Sequence, residues 1–396
     1  MVLSSAPLLR SDVVIVESLT GARTEGSWAG IAENGDVLVQ AQGAPTAFAP
    51  DTLREIRFAN RESPTSRPAA LGTLEFADGG RLAFTQLRGA AADAIAADTL
   101  LAGELVIPFR HLAAVRFDKL SSDAGALQSY ETEFADRKPG KDVLISGAGG
   151  EVRSVRGTLV SLDAEAGRFD FAGDVRTFKV ADTLAIVLAS GAGSTGRPPA
   201  ELRLVNGGRV GGRLVHSTGS AVSIETSFGA LVDVPLERIE SIGLSSDRIV
   251  MLSDLTAATT TVEGLLHEPW PVRTGRNVAN GPIVLGGVEY ARGVGVHSRT
   301  ELVYELDGSF AQFISTIGID DAVRPLGSVE FKVLGDGETL YQSGPLTGND
   351  APRPIDVPIS GVKRLTLLVD YGGQLDLADH ADWADARLVR PPAARR

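Results

Sequence analysis

LEFADGGRLAF, residues Leu74 to Phe84, and LRLVNGGRVGG, residues Leu202 to Gly212, decide how the first 247 residues of this chain are read. In each, alternating apolar residues run into an Asp-Gly-Gly or Asn-Gly-Gly turn, the pattern of a β-hairpin. Downstream, each segment closes on a proline followed by apolar residues four, seven and nine positions later: Pro108, Leu112, Val115 and Phe117, then Pro235, Ile239, Ile242 and Leu244. Two further segments keep that spacing, ending in Ala49, Leu53, Ile56 and Phe58 and in Val180, Leu184, Val187 and Ala189. An internal repeat of this length makes one supersecondary unit per copy.

Working outward, we expect an all-β chain with four tandem small β-barrels of five strands each, at residues 12–60, 71–118, 141–189 and 200–246, followed by a β-sandwich at 247–390. The strand, x-Asp/Asn-Gly turn, central hairpin and closing Pro-apolar turn resemble Sm-like and SH3-like barrels in pattern. The stretches from Asn60 (NRESPTSRPAA), from Lys119 to Lys141 and from Ser190 (SGAGSTGRPPA) read as linkers. Gly89 to Leu101 (GAAADAIAADTLL) has helix-forming composition and leaves two readings open, a helical insertion at a hairpin tip or an alanine-rich strand and loop.

Composition supports the all-β reading. Among 396 residues there are 45 Gly and 20 Pro, with 14 Phe, 5 Tyr and 3 Trp against 2 Met. Short strands joined by tight turns use residues in that way. The formal charge of −12 argues against a phosphate backbone as the main partner. Single-strand binders also need stacking aromatics in a basic groove, and the repeat region holds one Trp, Trp28, and one Tyr, Tyr130. Nucleic acid is therefore excluded as the expected partner. With no cysteine, disulfides, thiolate metal sites and cysteine nucleophiles are absent. No apolar run reaches the length that crosses a bilayer, and the start, Met1 to Asp12, lacks the basic and apolar regions of a signal peptide. Membrane insertion is not expected. We expect an exported protein, periplasmic or at the cell surface, whose signal precedes Met1, with a cytoplasmic location as the alternative.

Beyond Asp247 the texture changes. Val329-Glu330-Phe331-Lys332-Val333 alternates, turns at Asp336-Gly337 and resumes at Thr339-Leu340-Tyr341, while Leu365 to Val369 is the continuous apolar run of a central strand. Two sheets packed face to face follow from that pattern. MLSDL at Met251, GRNVANGPIVLGGVEYARGVGVHS from Gly275, FISTIGIDD from Phe313, GSVEFKVLGDGETLYQS from Gly327, SGVKRLTLLVDYGG from Ser360 and DHADWADARL from Asp379 closely resemble the NPCBM carbohydrate-binding module family. The resemblance covers Ile249 to Val389 in the family's order. It implies a galactose-binding-like jelly-roll sandwich and sugar binding without catalysis.

Sugar recognition needs an aromatic face for the C–H side of a pyranose and a few fixed polar groups for its hydroxyls. His297, Asp320, Asp321, His380, Asp382 and Trp383 are those types, and the resemblance places them in signature blocks. The expected site lies where GVGVHS and DHADWA meet, with Trp383 or a neighbouring aromatic under the ring and His297, Asp320 and His380 at hydroxyls. Competing readings make Trp383 a core residue, His297 a structural hydrogen-bond donor and Asp320-Asp321 turn residues. Asp376, Asp379 and Asp382, three apart, are weak candidates for a structural calcium ion, and solvated turn aspartates explain them equally. There is no G-x-S-x-G elbow, H-E-x-x-H, P-loop or dinucleotide fingerprint, and no strand-helix alternation for a barrel hydrolase. The expected function is non-catalytic glycan binding with the repeats as spacers or docking units for other envelope proteins. The alternatives are a protein-protein scaffold without a sugar site and a glycoside hydrolase accessory protein.

Overall fold

A computed structural model describes residues 12–41, 44–59, 61, 69–89, 93–148, 151–189, 198–265, 268–373 and 375–391. The chain divides into two units, one running to residue 18 and from 22 to 245, the other comprising 19–21 and 246 onward.

The first unit repeats one strand pattern four times. Its strands are β1 (Val13–Ser18), β2 (Arg23–Ile31), β3 (Val37–Ala41), β4 (Ala44–Phe48) and β5 (Leu53–Phe58); β6 (Gly72–Phe76), β7 (Arg81–Arg88), β8 (Ala94–Thr99), β9 (Gly103–Pro108) and β10 (Leu112–Phe117); β11 (Asp142–Ala148), β12 (Glu151–Leu162), β13 (Ala166–Phe171), β14 (Asp174–Lys179) and β15 (Thr183–Val187); β16 (Ala200–Leu204), β17 (Arg209–Ser217), β18 (Ala221–Thr226), β19 (Leu231–Pro235) and β20 (Ile239–Leu244). In every set the first strand pairs antiparallel with both the second and the fifth. The second pairs with the third and the third with the fourth.

The four, seven and nine spacing now has a physical cause. The residue at position four is the last of a single 3-10 turn, its N–H returning to the first carbonyl, as Leu53 does to Pro50 and Ile239 to Leu236. The fifth strand then carries a one-residue bulge at Arg54, Ala113, Leu184 or Glu240, where the pairing register skips a residue. A bulge turns positions four and seven, which strict alternation would place on opposite faces, to the same side. The third copy needs a correction: its turn starts after Lys179, so its equivalents are Thr183, Ile186 and Leu188, one residue earlier than the sequence spacing suggested. All five residues of β15 are buried, so the alternation that marks a face is missing and the register cannot be read from hydropathy.

The sets are not beads on linkers. Fifth strands pair with each other, Ile56 with Ile242 and Val115 with Ile186, and all twenty strands share one hydrogen-bonded network and one large apolar cluster. Most of the stretches from Asn60 and Ser190 expected as linkers lie outside the described residues. The expected linker Lys119–Lys141 instead contains the helix α1, Ala124–Ala135. Asp123 caps it, accepting from the Ala126 N–H at 2.9 Å. Ala126, Tyr130 and Phe134, four apart, pack with Leu120, Val143, Ile145 and Val187 in a second cluster. Gly89–Leu101, open between helix and strand, is a strand over Ala94–Thr99, where Ala94, Ala96 and Ala97 are buried; residues 90–92 lie outside the described part.

The second unit is a sandwich. Its strands are β21 (Ile249–Met251), β22 (Thr259–Val262), β23 (Arg273–Thr274), β24 (Ile283–Leu285), β25 (Val288–Tyr290), β26 (Gly293–His297), β27 (Thr300–Glu305), β28 (Gln312–Ile319), β29 (Ser328–Gly335), β30 (Glu338–Thr347), β31 (Arg353–Pro358), β32 (Arg364–Tyr371) and β33 (His380–Val389). One sheet runs β23-β26-β33-β28-β31, with β21 also on β33; the other runs β22-β27-β32-β29-β30. The expected hairpin turns at Asp336 and Gly337, both with positive φ, 49° and 91°. Leu365 to Val369 lies in a central strand, as its apolar run requires.

Candidate functional site

Strand pairing brings two histidines together at one end of the sandwich. His297 ends β26, His380 begins β33, and the two are direct partners in the ladder. Their rings stand 5.7 Å apart, edge to face. Over both lies the indole of Trp270, stacked on His297 at 5.8 Å with 15° between planes and tilted on His380 at 5.1 Å. Trp270 is half-buried and sits between Pro269 and Pro271, whose fixed φ angles limit how the backbone holds it.

His297 is 5% exposed and His380 is half-buried. His297 Nδ1 lies 2.8 Å from the Ser298 carbonyl oxygen, so Nδ1 carries the proton it donates there. His380 Nδ1 is buried without a hydrogen-bond partner among the described residues. Burial, and then the charge of His297, lower the His380 pKa, with Asp320 pulling the other way. A neutral imidazole offers one donor and one acceptor.

The other expected residues stand behind this face. Asp320, 1% exposed, accepts from Asn277 Nδ2 at 3.1 Å, the Val284 N–H at 3.1 Å and the Ala322 N–H at 3.0 Å, so its oxygens are engaged in holding loops. Asp321 accepts from the Gly286 and Gly287 N–H groups at 2.9 and 2.7 Å. Partial burial is the largest influence on its pKa and raises it, yet those amides and Arg324 outweigh it and the net shift is downward. Asp382 is fully buried, and neither of its oxygens meets a donor among the described residues while the carboxyls are ionised. Burial first, then the neighbouring Asp320 carboxyl, push its pKa well up. Trp383 does not lie under a ligand. It is 0% exposed, with Phe331 at 4.9 Å and Phe313 at 5.9 Å, because inward positions of β33 fill the core between the sheets.

Trp270 lay outside every motif singled out in the sequence, although a lone Trp between two prolines is itself a sign of a pinned surface aromatic. The three aspartates considered for calcium diverge. Asp376 accepts from the Leu265 N–H, Asp379 from the Ser328 N–H and the Ser298 hydroxyl, and Asp382 faces Asp320. Among the described residues no three His, Asp or Glu side chains converge as metal ligands.

Two features of the first unit bear on catalysis and binding. Ser223 Oγ donates to Asp233 and lies 3.1 Å from His216 Nε2. The serine stands between the other two, so the aspartate does not orient the imidazole as a nucleophile's base would require. A groove of about 760 Å³ is lined by Leu71, Phe117, Lys119, Glu165, Lys179 and Val180. The Lys119 ammonium there is already satisfied by the carbonyls of Val180 and Ala181. Among the described residues no helix is long and apolar enough to cross a membrane.

Residues 248–389 match the NPCBM/NEW2 domain family. A Renibacterium salmoninarum protein provisionally named an endo-alpha-N-acetylgalactosaminidase is 37% identical over 108 residues, 27% of this chain and 7% of its own. The alpha-1,3-galactosidase B of Akkermansia muciniphila is 30% identical over 123 residues, 30% of this chain and 15% of its own. This chain therefore covers only a small part of the curated relatives it matches. Among solved structures, a CBM51 module from a Clostridium perfringens GH95 protein, in complex with methyl-galactose, is 29% identical over 36% of this chain and 99% of its own, with a TM-score of 0.33.

Proposed function

Because residues 248–389 carry an NPCBM/NEW2 domain, we propose that this protein is a non-catalytic glycan-binding protein whose sugar site is the face of Trp270, His297 and His380. The observation that carries the reading is the indole laid over two paired imidazoles, an apolar plate beside polar nitrogens at the loop end of a sandwich. The plate suits the C–H face of a pyranose and the nitrogens suit its hydroxyls. The names of both curated relatives concern galacto-configured sugars, which supports galactose or N-acetylgalactosamine as the ligand. We further propose that the protein works outside the cytoplasm, and that the first unit is built of four small five-stranded barrels which present the sandwich or dock other envelope proteins.

Calorimetry of the full chain with methyl galactoside, against methyl glucoside, tests the reading. A shallow face that buries little area is expected to give a Kd on the order of 0.1–1 mM. Trp270→Ala should remove binding at unchanged melting temperature. Absence of binding to any galacto-configured sugar, or wild-type affinity in Trp270→Ala, would overturn it.

A further inference from the structure

The loops around this face have inverted polarity. In the segment 375–379 the acids turn in and the leucines turn out: Asp376 and Asp379 are 1% and 0% exposed, whereas Leu375 and Leu377 are 57% and 56% exposed. That is the reverse of what burial energetics select in a loop whose only task is to connect strands. Buried Asp376 ties the segment to a second loop through the Leu265 N–H, and Leu265 is itself 50% exposed. A third loop approaches so closely that a Cβ on Gly327 would come within 2.5 Å of the Ala378 carbonyl, and its Leu326 is 53% exposed. Leu375 and Ala378 both have left-handed φ, 59° and 56°, a conformation costly for a residue with a Cβ. The surrounding hydrogen bonds hold this arrangement. Asp379 accepts from the Ser328 N–H and from the hydroxyl of Ser298, which follows His297, and His297 pairs with His380, so the loops carrying the four leucines meet at the strand ends that hold the two histidines.

Resting on the sugar-site reading, we propose that the site continues into an apolar subsite formed by Leu265, Leu326, Leu375 and Leu377, and that its preferred ligand is a saccharide carrying an alkyl or aryl substituent. The aromatic face takes the sugar ring and the leucines take the substituent. Covering exposed leucine surface with methylenes removes apolar area from water on both partners, a gain a bare sugar cannot supply.

The test is calorimetry of the full chain with methyl and hexyl galactoside, the latter below its micelle concentration. Hexyl galactoside should bind roughly tenfold tighter, and the double variant Leu326→Ser, Leu377→Ser should bring it to the methyl level while leaving methyl galactoside unchanged. Equal affinities in the wild-type chain, or a gain that survives the double variant, would overturn the subsite. Hexyl glucoside binding as tightly as hexyl galactoside would overturn it as well, because the surface would then be unrelated to the sugar. If neither galactoside binds, the sugar site itself fails and the subsite with it. Capture on phosphatidylcholine vesicles only when they contain galactosylceramide would support the subsite with a membrane glycolipid as the source; a hexyl-dependent gain without capture would support it with soluble glycosides as the source.

Discussion

Trp270 and Trp383 share a residue type and nothing else. Trp383, wholly enclosed between Phe313 and Phe331, belongs to stability. Trp383→Ala should cost about 3–5 kcal/mol, seen as a large drop in the melting temperature of the sandwich. A loss below about 1 kcal/mol would mean that the core closes around the vacancy. His380 makes a pH prediction of definite sign. Its folded pKa lies below the ordinary value, so on acidification the unfolded chain takes up the proton first. His380 therefore contributes a loss of stability that begins as pH falls through about 6.5 and continues to its lower folded pKa. Asp379 and Asp382, raised chiefly by burial, act in the opposite sense, because on acidification the folded chain takes up their protons first. The measurement is thus the difference between wild type and His380→Gln: the gap between their melting temperatures should shift in favour of the variant from pH 7 to pH 5.5.

At the scale of elements, the closing turn of each repeat was legible because a 3-10 turn plus a bulge leaves a fixed apolar spacing. It blurred in the third copy, where β15 packs one face on the main cluster and the other on α1. Helix α1 was read as linker because its polar face dominates the composition, although Ala126, Tyr130 and Phe134 carry a helical period. Tertiary contacts make it a fixed element. The Tyr130 hydroxyl donates to Glu75 at 2.6 Å, and the Arg116 guanidinium joins the same carboxylate at 2.9 Å and lies 5.1 Å from the Tyr130 ring. Asp123→Ala should cost about 1 kcal/mol through its lost cap, read by chemical denaturation of the first unit. No change would mean that packing alone holds the helix.

At the scale of the whole molecule, the second unit has its own apolar cluster, from Leu252 through Phe331 to Leu388. A domain of this size buries about two thirds of its unfolded surface. Residues 246–391 expressed alone should therefore unfold in one cooperative transition, followed by calorimetry. The first unit makes the contrary prediction. Because fifth strands pair across sets at Ile56–Ile242 and Val115–Ile186, one five-stranded set in isolation should not give a cooperative transition.

What the sequence determined by itself is local: strand alternation, the Asp-Gly and Asn-Gly turns, the closing spacing, and the two short segments that carry His297 and His380. Each is written within a few residues, where backbone sterics and side-chain period act directly. Tertiary structure alone decided which tryptophan faces solvent, that Asp382 is enclosed beside Asp320, that fifth strands join in pairs, and that a polar stretch becomes a helix. Those outcomes depend on what arrives from distant parts of the chain to bury or expose a side chain, and hydropathy along one segment holds no information about its neighbours in space.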